Sequence, residues 1–304
     1  MNRLYGLLAS LAVASAFAGP AAATDGPLVS TDWLQERLDD PSVQVFEVSV
    51  NPEVYANGHI PGATNLVWHT DLVDPVRRDI ASREALESAL RAAGVDEGDT
   101  IVLYGDTNNW FAAWGAWVLD VYGVDAKLLD GGRKLWKAEE RPLATENREV
   151  APGTITLAPA NERHRARLST VVAASETASH AIVDIRSPKE YSGEIIAPPG
   201  LKETAIRAGH ITGAVNVSWG QAVQPDGRFK PVEELRALYA SHGIDGSKPV
   251  ITYCRIGERS SHTWFALSKI LGYEVLNYDG SWTEYGNAVG VPVTNLAGTL
   301  WTGR

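Results

Sequence analysis

The chain has 304 residues, 44% of them hydrophobic, with a formal net charge of −10 and a pI near 5.2. That length points to two domains of about 150 residues, each with enough apolar content for its own core. An acidic chain of this kind excludes a general field for nucleic acid, so any anion recognition must come from local basic residues.

The first residues read as an address. Met1 to Arg3 carries one positive charge, Leu4 to Phe17 is an almost unbroken apolar or small run, and Gly19-Pro20 breaks it. Ala21-Ala22-Ala23 then offers a small-residue cleavage site. This is the layout of a secretory signal peptide over residues 1–23, and the apolar run is short for a span of roughly 20 residues. No cysteine stands near the cleavage site, so a lipid-anchored form is not expected. No later segment is long and apolar enough to cross a bilayer. The mature chain is therefore expected in the periplasm or outside the cell, with no stable membrane insertion once the leader is cut.

The next elements alternate between strand-like and helix-like patterns. Strands are predicted at Val43 to Val48, Thr100 to Leu103 and Ala126 to Leu129, and helices at Ser82 to Ala93 and Asn109 to Tyr122. A polar stretch from Ala144 to Arg167, with Pro152 and Pro159, reads mostly as linker, with a candidate strand inside Thr154 to Leu157. Strands then return at Ala181 to Ile185, Pro249 to Tyr253 and Glu274 to Asn277. Helices are expected at Pro231 to Ser241, with Val232, Leu235 and Leu238 on one face, and at Ser260 to Leu271. Alternating β and α elements imply a parallel sheet flanked by helices, hence an α/β fold.

The second half repeats the first. His59-Ile60-Pro61-Gly62-Ala63-Thr64-Asn65 matches His210-Ile211-Thr212-Gly213-Ala214-Val215-Asn216. Ile101 to Tyr104 matches Val250 to Tyr253, Leu129-Asp130-Gly131 matches Tyr278-Asp279-Gly280, and Arg141-Pro142-Leu143 matches Val291-Pro292-Val293. Four blocks in one order, at nearly one offset of about 150 residues, make a duplicated domain instead of a short solenoid repeat. The expected boundaries are 24–146 for the first domain, 147–168 for the linker and 169–304 for the second.

Cys254 is the only cysteine, so no internal disulfide can form. It directly follows the strand ending at Tyr253, at the carboxyl edge where parallel sheets bind ligands. The loop Cys254-Arg255-Ile256-Gly257-Glu258-Arg259 can curl so that successive N–H groups face the sulfur, with the positive end of the next helix, capped at Ser260, behind them. Arg255 and Arg259 add fixed cations. Each of these effects lowers a thiol pKa, which favours a reactive cysteine on a loop over an inert one in a core. Glu258 either tunes the arginines or faces solvent.

The string YCRIGERSSHTW at 253–264 resembles the active-site loop of the rhodanese family, especially its thiosulfate sulfurtransferases. The GHI-x-GA-x-N blocks at 58–65 and 209–216 and the DGSW-x-E string at 279–284 are similar to that family's other motifs. The resemblance covers nearly the whole mature chain. It implies two tandem rhodanese-like domains, with only the second catalytic, and it carries the catalytic role to Cys254 and the charged-loop role to Arg255 and Arg259. Gly105 and Asp106 stand where Cys254 and Arg255 stand, so the first copy lacks both nucleophile and anion site. Some relatives carry two arginines in the segment matching Asp184 to Tyr191. Here Arg186 is present as a candidate substrate ligand, and Glu190 replaces the second. Trp219 matches an aromatic near the family's active site and competes with a reading as core packing. His59 and His210 occur in both copies, including the one without cysteine, and so read as structural.

The expected reaction is a double displacement. The Cys254 thiolate takes the outer sulfur of a small anionic donor such as thiosulfate, then passes it from the persulfide to cyanide or a thiol. No metal or organic cofactor is required. Three alternatives compete. A 3-mercaptopyruvate sulfurtransferase would be expected to carry small residues after the cysteine, where Arg255 stands. A cysteine phosphatase would need one more residue between Cys254 and Arg259. An exported persulfide carrier, delivering sulfur to a partner protein, would use the same loop.

Overall fold

The computed structural model describes residues 26–201 and 204–300. The predicted leader and its cleavage site lie outside the described residues. Short β-branched and apolar runs form the strands of the first half: β1 (Leu28–Val29), β2 (Val43–Glu47), β3 (Thr64–Asn65), β4 (Val73–Asp74), β5 (Asp79–Ile80), β6 (Thr100–Tyr104) and β7 (Lys127–Leu129). Those of the second half are β8 (Ala181–Asp184), β9 (His210–Ile211), β10 (Ala214–Asn216), β11 (Val250–Tyr253), β12 (Val275–Asn277) and β13 (Val293–Thr294). The two main sheets run β1-β7-β6-β2-β3 and β10-β8-β11-β12, parallel throughout. The duplication is visible in this order, since β8, β10, β11 and β12 repeat β2, β3, β6 and β7. Where β1 edges the first sheet, Arg165 makes a single parallel bridge to Asn277 at the edge of the second.

Both β2 and β11 are buried at every position, as expected for central strands covered on both faces. The predicted strands and helices form within a residue or two of the expected limits, with three exceptions. The helix after Cys254 begins at Glu258, not Ser260, because Gly257 makes the turn at φ 100° and serves as N-cap. Thr154 to Leu157 is not a strand. Its neighbourhood runs along the first domain, with Gly153 N–H on Arg91 O, Ile155 N–H on Val95 O and Ala158 N–H on Tyr122 O, so its backbone bonds go to separate segments instead of one strand edge. In the helix Val232–Ala240, Leu235 and Tyr239 are buried and Val232 is exposed, so the inner face is turned from the predicted one. The antiparallel hairpin β4–β5 and the helix Leu168–Thr177 were not foreseen.

The domains share a core. The helix Trp110–Val121 (WFAAWGAWVLDV) is apolar apart from Asp120 near its end, and every residue after Trp110 in it is buried. A helix this apolar needs cover on every face. It packs against the first sheet and also against Glu258–Trp264, the helix that follows the cysteine loop. Ionic ties flank this contact. Lys269 Nζ reaches Asp120 at 2.6 Å and Asp125 at 2.8 Å, and Arg165 joins Asp79 of the first domain to Asp279 of the second.

One junction group carries a cost. Asp130 accepts the Phe229 N–H across the interface at 2.9 Å, and burial pushes its carboxyl up to about 6 from an ordinary 3.8. A raised carboxyl binds its proton more tightly folded than unfolded, so stability falls as pH rises from about 4 through about 6. Asp130→Asn keeps the acceptor without the charge. It is expected to stabilise the protein by about 1 kcal/mol at pH 7 and to be neutral below pH 4, as read from urea unfolding at the two pH values.

Candidate active site

Cys254 ends β11, and its backbone is pinned from one side by the segment after β12. Its N–H donates to Ser281 Oγ at 3.0 Å, and its carbonyl accepts from Trp282 N at 3.1 Å. Ser281 Oγ in turn donates to Tyr278 O at 2.7 Å, with the Ser281 backbone in the left-handed region at φ 50°. From the other side, Asn277 holds the far end of the loop. Its Nδ2 donates to Gly257 O and Ser261 Oγ, and its Oδ1 accepts from Ser260 Oγ at 2.6 Å. Gly257 is required here twice over. Its φ is 100°, and any Cβ would stand 2.4 Å from Asp279 Cα.

This scaffold bends the loop into a cup around the sulfur. Gly257 N–H donates to Cys254 Sγ at 3.1 Å. Cys254 is fully buried, and burial by itself would raise its thiol pKa. The Arg259 charge and the N–H groups of Gly257, Ile256 and Ser260 outweigh that, and the thiol ends below its ordinary value. The expectation of a loop cysteine outside the core is thus corrected. Cys254 lies in the shared core cluster, yet its sulfur is lined by N–H donors, so burial here accompanies reactivity.

The loop residues divide by role. Ile256 and Gly257 supply N–H groups to the sulfur. Arg255 is half-buried at the loop's entry. Glu258 does not face solvent: it is 5% exposed, and burial, then the Cys254 charge, push its carboxyl well above the carboxylate range. Arg259 stands 3.7 Å from Glu190 and lies over the Trp110 ring of the first domain at 5.6 Å. Trp219 meets that same ring edge-on at 4.5 Å, so it reaches the site through Trp110 and also packs on His262. Among the described residues no His, Cys, Asp or Glu cluster is placed to hold a metal ion.

A protein-family model for the rhodanese-like domain matches residues 30–139 and again 168–288. The chain belongs to the rhodanese family. It is a sulfurtransferase with two tandem rhodanese-like domains. It is 49% identical over 269 residues to a Mycolicibacterium smegmatis protein named as a candidate thiosulfate sulfurtransferase, covering 88% of this chain and 96% of that one. It is 48% identical over 272 residues to the sulfur carrier protein TtuD of Thermus thermophilus, covering 88% and 95%. Among solved structures it resembles SseA of Escherichia coli, described as a 3-mercaptopyruvate sulfurtransferase, with a TM-score of 0.74 and 28% identity over 84% of this chain and 99% of that one.

In this rhodanese Arg186 is turned into the fold and bonded there. It is 1% exposed, doubly bonded to Asp184 and donating to Gly209 O at 2.7 Å. Tyr253 Oη donates to the same Asp184 at 2.7 Å and accepts the Ile211 N–H. The first domain repeats this unit with other residues. There Tyr104 Oη donates to Glu47 at 2.6 Å and accepts the Ile60 N–H, and Arg133, from a different part of the chain, supplies the guanidinium. A unit also present in the copy without cysteine is a folding device. Glu190 has its own use: Oε2 accepts from Ser187 N and Oγ to cap Pro188–Ser192, and Oε1 faces Arg259. His59 and His210 stack on Tyr55 and Tyr191 at 3.7 Å and bond the same tyrosines' carbonyls, away from the sulfur.

The first domain has filled its own cup. Asp106 accepts the N–H groups of Val50 at 2.6 Å and Asn51 at 3.2 Å, and Gly105 N–H goes to Asn109 Oδ1. A Cβ on Gly105 would meet Val48 O at 2.2 Å. Gly105→Cys in a Cys254→Ser background is therefore expected to gain no sulfur from thiosulfate by intact mass. It should also lose about 3 kcal/mol of stability, the upper end of usual overpacking costs, because backbone must move.

Proposed function

We propose that the chain moves sulfane sulfur from thiosulfate to a thiophilic acceptor, cyanide or a thiol, through a persulfide on Cys254. The observation that supports this most is the sulfur cup. A thiol with Gly257 N–H at 3.1 Å and its pKa lowered by Arg259 is held as a nucleophile, and the same groups favour negative charge on a persulfide. The thiolate attacks the outer sulfur of thiosulfate, the sulfur–sulfur bond of the donor breaks, and sulfite leaves with its electron pair. The name of the M. smegmatis relative favours this donor, and Arg255 suits a compact dianion. Intact mass before and after thiosulfate tests it: a gain of about 32 Da that cyanide removes is expected, and no gain would overturn the reading.

The likeness to SseA supports 3-mercaptopyruvate as a second donor, and kcat/KM for the two donors separates them. The likeness to TtuD supports delivery of the persulfide sulfur to a partner protein, which slow turnover with stable loading would favour. From the leader pattern of residues 1–23 we also propose export. Fractionation of expressing cells, with the amino terminus of the mature protein sequenced, tests it; a chain that starts at Met1 in the cytosol would overturn it.

A further inference from the structure

The first-domain loop that stands where the second domain carries its cysteine is tightly wound. Thr107, Asn108 and Asn109 follow one another at positive φ, 46°, 53° and 64°. Residues other than glycine enter that region rarely and mostly singly, and such strain persists only where the surroundings hold it. Asn109 supplies the hold. It is 1% exposed, its Oδ1 accepts the Gly105 N–H at 2.9 Å, and its Nδ2 donates to Leu129 O at 2.7 Å. The next residue is Trp110, the first of the shared helix, so the strained turn fixes where its ring stands.

That ring meets the second domain. The Arg259 guanidinium lies over it at 5.6 Å from the centroid, within reach of a cation–π contact. Trp219 meets the same ring edge-on at 4.5 Å, which limits its freedom to turn. Arg259 also faces Glu190, which is 1% exposed and whose Oε1 has no hydrogen-bond partner among the described residues. A buried carboxylate oxygen in that state would be expected to draw a guanidinium to about 2.7–2.9 Å. The observed separation is 3.7 Å, an ion pair without a hydrogen bond. Arg259 is thus divided between an aromatic ring and a carboxylate on which it does not close.

We infer that Trp110 is a positioning residue for sulfur transfer: the cysteine-free loop of the first domain mounts its ring on Arg259, keeps that guanidinium from closing on Glu190, and so leaves its charge for the sulfur of Cys254. The inference rests on the persulfide reading above. Trp110 makes and breaks no bond in the reaction. It sets how much thiolate stands ready, and it gives the first domain a part in the chemistry through the loop that lacks a cysteine.

The single cysteine allows a direct test in the full chain. The thiolate is titrated by its ultraviolet absorbance, with Cys254→Ser as the blank, and the acid limb of kcat/KM for thiosulfate is followed beside it. Trp110→Leu, which keeps apolar bulk and removes the ring, is expected to raise the thiolate midpoint by about one pH unit, a tenfold loss of thiolate below it. Trp110→Phe keeps a ring face and should stay within about 0.3 of a unit of wild type. Glu190→Gln keeps the helix cap through its amide oxygen and removes the competing charge. Alone it should lower the midpoint by about half a unit, and combined with Trp110→Leu it should bring the midpoint back near wild type. Glu258, the carboxyl on the sulfur loop that feels the Cys254 charge, is unchanged in every variant. An unmoved midpoint in folded Trp110→Leu would overturn the positioning role. So would an equal shift in Trp110→Phe, or a shift that Glu190→Gln does not reverse, since either traces the effect to packing and not to the guanidinium. If Trp110→Leu does not fold, Glu190→Gln alone decides: a lowered midpoint supports the competition for Arg259, and an unmoved one overturns it. A wild-type chain whose thiol titrates as expected but never gains sulfur from thiosulfate would instead overturn the persulfide reading.

Discussion

Cys254→Ser is expected to bring thiosulfate:cyanide sulfur transfer down to background while the protein stays folded. A serine hydroxyl does not ionise near neutral pH, so the Arg259 charge and the loop N–H groups have no anion to favour. The same N–H groups explain why the fold survives. Serine Oγ accepts the Gly257 N–H where Sγ did, and no donor is orphaned. The stability change should stay within about 1 kcal/mol, read from thermal melts. Activity above a trace in a folded variant would remove the persulfide mechanism, since no other thiol exists in the chain.

Arg259→Ala and Arg186→Ala are expected to fail in different ways. Arg259 is 18% exposed in its side chain, faces Glu190 at 3.7 Å and is the main charge lowering the Cys254 thiol. Losing a positioned charge of this kind costs about 2.7–4 kcal/mol of transition-state stabilisation, or roughly 10²–10³ in kcat/KM. Arg186 is buried against Asp184, and its removal strands that carboxylate in the core. The cost of breaking a buried pair is about 3–5 kcal/mol of stability, with the folded fraction retaining most of its activity. Thermal melts and kcat/KM per folded molecule separate the two. If Arg186→Ala stayed stable and lost more activity than Arg259→Ala, the anion would be held from the strand side.

The duplication was legible because the paired blocks sit at turns and strand ends, where few residues fit. The sulfur loop was legible because a lone cysteine after a strand, with two arginines within five residues, has few structural readings. The partner of Arg186 was not legible, because a sequence shows a charge and not what holds it: Asp184, two residues earlier, binds its guanidinium. Ser281 and Asn277 were missed as parts of the site, although Ser281 lies in the DGSW string and Asn277 is a polar end on an apolar strand. Trp110 could not be placed, because it comes to the loop only through the packing of one domain on the other.

The helix Trp110–Val121 also sets a schedule for making the protein. Its outer face is covered by Glu258–Trp264, so the amino half leaves the ribosome with that face bare until almost 150 further residues have been added. At about 5–20 residues per second the wait is roughly 10–30 s, long on the scale of collapse and collision. The nascent amino half is therefore a natural client for holding chaperones. A transcript truncated near the linker would yield an aggregating fragment, not a smaller working domain.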